Sequence, residues 1–439
     1  MELVPSRQGR RQFVMNTAAA AAAMARSVWV PGAEPQSTST SDIRITGVRT
    51  FMFNVDTGPI RRDPKTGLPI SSAFKTWLFL KLETNAGLTG WGEASGEWLS
   101  PIVRTALHEW EELLVGGDPL NVTALCEDIT SRLPWKGGPV IGSAIAAINM
   151  ALYDIAGKAL GVPVWRLLGG KRRDRILIYD NGGLSFESVD KAVAQARGAV
   201  AAGARGLKGN PLEGRTWSMD RRELQLCTDI VQAVREAVGP DIELLLDAHG
   251  SPTPELSIAF AQMVAPWRPL FLEEPCKVGS ITALRQISER SPVPIATGEK
   301  LFSYRDFCEV IDARACAFLQ PDISHAFGID NFLDISRRAA EAQMLMAPHN
   351  AGGPVHFAAL MQADSAVSNF LIQEVSGDAF REFDKYVEHD LKLADGFVGV
   401  PDRPGLGIEV RESDVARMPY DKRMSFRQYR HADGSWKGW

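Results

Sequence analysis

The chain has little that would crosslink a fold or direct it to a nucleic acid. Its five cysteines are odd in number and form no CxxC pair, so neither a disulfide framework nor a zinc site is predicted. The net charge of -5 argues against a nucleic-acid partner. No uninterrupted apolar run reaches the about 20 residues that span a bilayer, so no membrane association is expected. At 439 residues with 45% hydrophobic residues, the chain has room for a barrel and a second domain.

The first 41 residues read differently from the rest. Arg10 and Arg11 precede an alanine-rich run over residues 18–25, a pattern that resembles a twin-arginine export signal. A polar Ser/Thr linker at residues 36–41 follows it. The pattern predicts a periplasmic protein. The alternative is a disordered tail on a cytoplasmic protein.

The next segment predicts a small α+β domain. Apolar and polar residues alternate over residues 43–48, 77–84 and 87–93, which indicates three strands with a turn at residues 85–87. Helical spacing follows over residues 103–114 and 143–160, and the second helix is expected to stop at Gly161. The long loop between the first two strands, residues 56–74, is rich in glycine, proline and basic residues. It is either a substrate lid or an ordinary surface loop.

Six acidic or imidazole side chains stand at the ends of successive apolar runs, 23 to 27 residues apart. They are Asp247, Glu273, Glu299, Asp322, His349 and Glu374. Each run is predicted to be a strand that ends before its polar residue: residues 244–246, 270–272, 294–298, 317–321, 344–348 and 370–373. A strand with its crossover helix takes about 30 residues, so this period predicts a (β/α) barrel. Polar residues at the carboxyl ends of barrel strands meet at one mouth, where active sites lie, so the chain is predicted to be an enzyme.

Several further motifs carry a resemblance to a known family. They are Gly-Gly-Pro at residues 137–139, Ala-Leu-Tyr-Asp-Ile-Ala-Gly-Lys at 151–158, Pro-Val-Trp-Arg-Leu-Leu-Gly-Gly at 163–170 and Asp-Gly-Ser-Trp at 433–436. With the strand-end residues, they make the sequence similar to the enolase superfamily, in its mandelate racemase subgroup, and most of all to galactonate-dehydratase-like acid-sugar dehydratases.

That resemblance implies an α/β fold in which an α+β capping domain covers a modified (β/α)8 barrel of the (β/α)7β type. The implied boundaries are residues 42–170 for the capping domain, 171–385 for the barrel and 386–439 for a C-terminal segment that completes the cap. It also implies one Mg²⁺ per subunit, with Mn²⁺ as an alternative, and a homo-oligomer such as a dimer or an octamer.

Carboxylates at three consecutive strand ends form an all-oxygen ligand set, which favours magnesium or manganese over zinc. By resemblance the ligands are Asp247, Glu273 and Glu299. Glu274 is adjacent to Glu273 but is expected to face the other way, because successive strand side chains alternate. The alternative is that each carboxylate pairs with a lysine at the barrel rim, for example Glu299 with Lys300.

Two histidines are the candidate acid and base. His249 lies two residues after Asp247 and is expected on the same strand face, near the metal. His349 ends the seventh barrel strand beside Asp322, and a carboxylate hydrogen-bonded to one ring nitrogen would prepare the imidazole to act as a base. The resemblance implies that His249 is the general acid and that His349 with Asp322 is the base dyad. Structural roles for these side chains are the alternative.

The predicted reaction is dehydration of a small-molecule sugar acid, a galactonate-like aldonate. The α-proton is too weakly acidic for imidazole unless the enediolate is stabilised, and Glu374 is expected to donate a hydrogen bond to the substrate carboxylate. Removal of the α-proton and loss of the β-hydroxyl would give a 2-keto-3-deoxy acid. The expected substrate-binding residues are Lys208, Asn210, His325, Arg61 and Trp98.

Other functions stay open at this point. A racemase or epimerase would need a second base, and the second barrel strand keeps only Lys208 of the Lys-x-Lys pair found in racemases of the subgroup. A mannonate-type dehydratase would use Arg and Tyr groups after that strand, where this chain has Arg215 and Trp217 but no Tyr. A sugar-acid binder or sensor without turnover is the alternative that is not an enzyme.

Overall fold

The computed structural model describes residues 42–56, 62, 67, 74–135, 137–212 and 221–421. The chain divides into two units, Met1–Asp42 and Ile43–Trp439, and every element below belongs to the second. The export pattern, most of the loop over residues 56–74, and Arg61, Arg215 and Trp217 lie outside the described residues. The predictions that fall on them stay predictions.

An antiparallel sheet of three strands forms the centre of the N-terminal domain. The strands are β1 (Ile45–Asp56), β2 (Phe74–Thr84) and β3 (Thr89–Glu93), in that order across the sheet. Gly87, with φ at 73°, adopts the left-handed conformation that the predicted turn requires. The first strand runs eight residues beyond the predicted end at Val48, because β2 pairs with it as far as Asp56.

Five helices follow the sheet. They are α1 (Ser100–Glu109), α2 (Glu111–Leu114), α3 (Val122–Arg132), α4 (Pro139–Leu160) and α5 (Val164–Leu167). The single helix predicted over residues 103–114 is wrong, since the chain leaves helical geometry at Trp110. The predicted stop of α4 at Gly161 is confirmed, with φ at 66°.

Helix α4 packs directly against β3. Gly92 makes this possible, because a Cβ there would lie only 1.9 Å from the carbonyl oxygen of Ala147. By length and composition alone α4 could cross a membrane, but 83% of its most apolar window is buried inside the protein. The helix is therefore the core helix of this domain.

Eight parallel strands form a closed barrel. They are β4 (Arg175–Asn181), β5 (Gly206–Gly209), β6 (Glu243–Asp247), β7 (Phe271–Glu273), β8 (Ile295–Thr297), β9 (Phe318–Leu319), β10 (Leu345–Met346) and β11 (Gln373–Val375). From β4 to β10 each strand pairs with the next, and β11 pairs with β4. A bridge from Met346 to Phe370 joins β10 to the chain before β11. The predicted strands are present but shorter or shifted. The last differs most, since β11 begins at Gln373, the final residue of the predicted strand.

Seven helices surround the barrel, one after each of the first seven strands. They are α6 (Val189–Ala201), α7 (Arg221–Val238), α8 (Pro254–Val264), α9 (Ile281–Arg290), α10 (Tyr304–Asp312), α11 (Ile329–Glu341) and α12 (Pro354–Ala366). The helix directly after β11, α13 (Gly377–Arg381), is short. This arrangement confirms the predicted (β/α)7β barrel.

The C-terminal segment contacts both the barrel and the N-terminal sheet. Strand β12 (Val387–Glu388) pairs with β15 (Glu409–Val410), while β13 (Leu393–Ala394) and β14 (Phe397–Gly399) form a hairpin that pairs antiparallel with β4. The last helix, α14 (Glu412–Val415), begins at Glu412, whose carboxylate lies 2.5 Å from Arg49 and 2.8 Å from Lys81. The segment thus joins the two parts of the fold.

Candidate active site

Three carboxylates meet at the mouth of the barrel. Asp247 ends β6, Glu273 ends β7 and Glu299 lies two residues after β8. One oxygen from each lies within 4.8 Å of the others. Glu273 Oε2 is buried and has no hydrogen-bond partner among the described residues. Burial, and then the charge of Asp247, raise the pKa of Glu273 well above its usual value. The negative charges of the three carboxylates repel one another, and a bound divalent cation would relieve that repulsion. The oxygen ligands therefore fit a magnesium-type site.

Lys208 projects from β5 into this cluster. Its Nζ lies 2.6 Å from Glu273 Oε1, 2.9 Å from Asp247 Oδ2 and 3.0 Å from Glu374 Oε1, and its side chain is 1% exposed. Burial alone would lower the pKa of Lys208, but the charges of Asp247 and Glu273 raise it well above its usual value. An ammonium enclosed by three carboxylates is poorly suited to accept a proton from a substrate.

The rim lysine considered from the sequence does pair with Glu299. Lys300 Nζ lies 2.8 Å from Glu299 Oε1 and also contacts Glu274 Oε2. The second oxygen of Glu299, Oε2, is not used by Lys300 and lies 3.4 Å from His349 Nε2. Glu274 takes a positive φ of 42° and is held by Lys300, which leaves Glu273 as the member of the pair that joins the cluster.

His349 and Asp322 form a closely contacting pair. His349 Nδ1 lies 2.7 Å from Asp322 Oδ2, while Ser324 donates to Asp322 Oδ1 from its backbone N–H at 2.8 Å and from its hydroxyl at 2.6 Å. Burial by itself would lower the pKa of His349, but the carboxylates of Glu299, Glu374 and Asp322 raise it to about 10. The other ring nitrogen, Nε2, is thus directed to the centre of the site by a fixed carboxylate behind the ring.

His249 is held by Asp247. Its backbone N–H donates to Asp247 Oδ1 at 2.8 Å, and its Nε2 lies 3.1 Å from Asp247 Oδ2. The predicted reason for this placement is wrong, because β6 ends at Asp247 and His249 adopts a left-handed φ of 48° in the turn that follows. The hydrogen bond to Asp247, rather than strand alternation, therefore brings the imidazole beside the carboxylate cluster.

Glu374 contacts Lys208 with one oxygen and accepts a hydrogen bond from the backbone N–H of Asn350 with the other, at 3.1 Å. In both contacts a carboxylate oxygen of Glu374 is the hydrogen-bond acceptor. The predicted role of Glu374 as a hydrogen-bond donor to the substrate stays a prediction.

The predicted substrate-binding residues are placed unevenly. His325 lies next to the dyad: its Nδ1 is 2.9 Å from Ser143 Oγ on α4, and its Nε2 is 3.7 Å from Asp322 Oδ2. Asn210 follows β5 directly, and Trp98 lies half-buried in a 3-10 turn, Glu97–Leu99, after β3. Of the expected set, Arg61 lies outside the described residues.

Two buried residues near the dyad were not among the predicted site residues. His356, on the first turn of α12, has its Nε2 3.3 Å from Asp322 Oδ1. Glu93, the last residue of β3, accepts hydrogen bonds from the backbone N–H groups of Gly353 and His356 at 2.6 and 2.9 Å. The N-terminal sheet thus caps the helix that begins just after His349. Nothing in the spacing along the chain indicates this contact between distant segments.

Comparison with known proteins agrees with this architecture. Residues 191–414 match the family described as Enolase C-terminal domain-like, and residues 57–169 match the Mandelate racemase / muconate lactonizing enzyme, N-terminal domain. D-galactonate dehydratases from Cronobacter sakazakii and Variovorax paradoxus are each 35% identical to the chain, over 83% of it and 96% of their own length. A solved protein from Mesorhizobium loti shares 30% identity with a TM-score of 0.76, over 86% of this chain and 99% of its own.

The chain therefore belongs to the enolase superfamily, in its mandelate racemase/muconate lactonizing enzyme group. It is an enzyme of the hydro-lyase class, as the dehydratase relatives and the family membership together indicate.

Proposed function

We propose that the protein is a magnesium-dependent dehydratase that converts a galactonate-like aldonate to a 2-keto-3-deoxy sugar acid. The observation that carries the proposal is the combination of the carboxylate cluster with two histidines, His249 and His349, that are held by different carboxylates. The relatives named D-galactonate dehydratase supply the substrate class.

Asp247, Glu273 and Glu299 would hold the magnesium ion. The chemistry that the ion supplies when bound is stabilisation of the negative charge that develops on the substrate carboxylate as the α-proton leaves. Lys208 lies in the same cluster and adds a fixed positive charge at that end of the substrate. The carboxylate end of the acid therefore binds at the floor of the mouth, and the polyol end extends outwards.

His349 acts as the base in this proposal. Its Nε2 removes the α-proton, and Asp322 behind the ring stabilises the imidazolium that forms. His249 then donates a proton to the β-hydroxyl, which leaves as water, and the resulting enol becomes the 2-keto-3-deoxy acid. The proton taken from the α-carbon and the proton given to the leaving hydroxyl are thus carried by two different side chains, His349 and His249.

Racemisation at the α-carbon receives less support. It needs a second base on the opposite face of the α-carbon, and Lys208 is enclosed by Asp247, Glu273 and Glu374. A racemase or epimerase would incorporate solvent deuterium without losing water, which separates it from a dehydratase.

The test is a screen of the purified protein with Mg²⁺ against hexonic, pentonic and hexaric acids, including D-galactonate and D-mannonate. Carbonyl trapping would detect the 2-keto-3-deoxy product. We expect turnover in one stereochemical series that is lost with chelator and restored by Mg²⁺. Absence of product from every acid would overturn the proposed function, and binding without turnover would favour a sensor.

A further inference from the structure

The floor of the barrel mouth contains a buried glutamine that the proposed mechanism does not use. Gln320 follows β9 directly, its backbone N–H donates to Thr297 O at 2.9 Å, and the residue is 1% exposed. Neither its Oε1 nor its Nε2 has a hydrogen-bond partner among the described residues. Leaving a buried amide unpaired is costly, so such a group calls for an explanation through a ligand or a bound molecule.

The side chain of Gln320 points into the barrel. Phe318, two residues earlier, packs against the apolar cluster inside the barrel, whereas Leu319 belongs to the core between the barrel and its helices. Side chains of successive residues along a strand point in opposite directions. The ladder continues to Gln320, because its N–H still donates to β8, so Gln320 points inward as Phe318 does.

The strand register gives the level of Gln320 in the barrel. Glu273 lies opposite Ala296, and Ala296 lies opposite Phe318. Side chains inside a barrel form layers across its axis. Because the strands are tilted, the residue that lies in a given layer shifts by about one position from each strand to the next. Two such steps lead from Glu273 on β7 to Gln320 beside β9. Alternate strands contribute four side chains to each layer. This layer consists of Lys208, Glu273, Gln320 and Glu374.

Gln320 is the one uncharged member of this layer of four. Lys208 already contacts Glu273 and Glu374, at 2.6 and 3.0 Å. Below the layer, Ala296 and Ala347 belong to the apolar cluster and offer no polar side-chain group. Above it, the residue that follows β8 is Gly298, which has no side chain to cover the amide. The amide thus has apolar side chains below it and no side chain of Gly298 above it, on the side of the carboxylate cluster.

We propose that the carboxamide of Gln320 binds the carboxylate group of the substrate acid, with Nε2 as the donor. The inference rests on the proposed function, which puts the carboxylate end of the acid over this layer. Lys208 supplies positive charge at that end of the substrate, but its ammonium is shared with Glu273 and Glu374. A neutral N–H donor on the same floor adds a contact to the substrate without adding charge to the metal cluster.

The test compares Gln320→Met with Gln362→Met. Methionine keeps the size and shape of glutamine but has no amide. In the metal-free protein we expect Gln320→Met to raise the thermal midpoint by about 1 to 3 °C, since it removes an unpaired buried group. With Mg²⁺ we expect its KM for the acid converted by the wild type to rise about tenfold or more, while kcat changes less. D-galactonate is the first probe.

Gln362 is the matched control. It is also fully buried, but its Nε2 donates to Pro401 O and Leu406 O, both at 3.1 Å, and its Oε1 accepts from Trp165 N at 2.9 Å. Gln362→Met should therefore lower the thermal midpoint and leave KM unchanged.

A lower midpoint for Gln320→Met would show that the amide has a structural partner, and an unchanged KM would show that it does not contact the acid. Either result overturns the inference. A wild type that neither binds nor converts any acid would overturn the proposed function, and the inference with it. The wild-type control separates that failure from the other two.

Discussion

The two histidines at the barrel mouth are held in different ways. His349 is oriented by Asp322, which lies outside the carboxylate cluster and is itself fixed by Ser324. His249 is oriented by Asp247, a member of that cluster, through both its backbone N–H and its ring. The orientation of the proposed base should therefore depend less on the metal ion than the orientation of the proposed acid.

The largest effect should come from Asp247→Asn, which changes the cluster and the support of His249 together. We expect magnesium affinity to be lost and kcat/KM to fall by about 10⁴-fold, the equivalent of several kcal/mol of transition-state stabilisation. Calorimetric titration with Mg²⁺ and product assays would measure both. Asp241→Asn, at an exposed position outside the site, is the control and should change neither. Intact magnesium binding in Asp247→Asn would contradict the assignment.

Asp322→Asn should separate the two histidines. The amide can no longer stabilise an imidazolium, so we expect kcat to fall by about 10³- to 10⁴-fold. Magnesium affinity should stay at the wild-type value, because Asp322 is outside the cluster. A loss of magnesium affinity in this variant would show that the base and the metal site are not independent.

The pKa of His349 gives a third way to sharpen the comparison. In the metal-free protein the pKa of His349 is raised to about 10 from 6.5, because the folded state favours the protonated ring. Protonation of His349 therefore stabilises the folded state, and the full contribution is present below pH 6.5. This contribution is lost as the pH rises through about 10. A cation bound near Glu299 would counter the carboxylate charge, so Mg²⁺ should lower the pKa of His349. Imidazole NMR titrations with and without Mg²⁺ would measure the change, and a pKa that Mg²⁺ leaves unaltered would contradict this account.

The barrel and the residues at its mouth could be anticipated from the sequence because strand period and strand-end chemistry are local signals. Asp247 and Glu273 each end an apolar run, and the parallel arrangement brings such ends together. Local signals are weaker where the backbone leaves regular geometry. His249 adopts a positive φ, so strand alternation does not apply to it. The residue does lie beside the carboxylate cluster as predicted, but not for the predicted reason.

Contacts between distant segments could not be anticipated. Glu93 caps the helix that begins with Pro354, about 260 positions further along the chain. Whether a buried side chain such as Gln320 finds partners depends on the packing of neighbouring strands, which residue identity alone does not give. The export signal, Arg61 and most of the candidate substrate lid fall on residues outside those that the structure describes.

The most direct test of the proposed acid and base roles is to compare His249→Asn and His349→Asn in D₂O. Both variants are given Mg²⁺ and the sugar acid that the wild type converts. The account predicts that His249→Asn still exchanges the α-proton for deuterium but forms almost no 2-keto-3-deoxy product, since its base is intact. It predicts that His349→Asn neither exchanges nor eliminates. Exchange that survives in His349→Asn and disappears in His249→Asn would contradict the account, because it would reverse the acid and base roles.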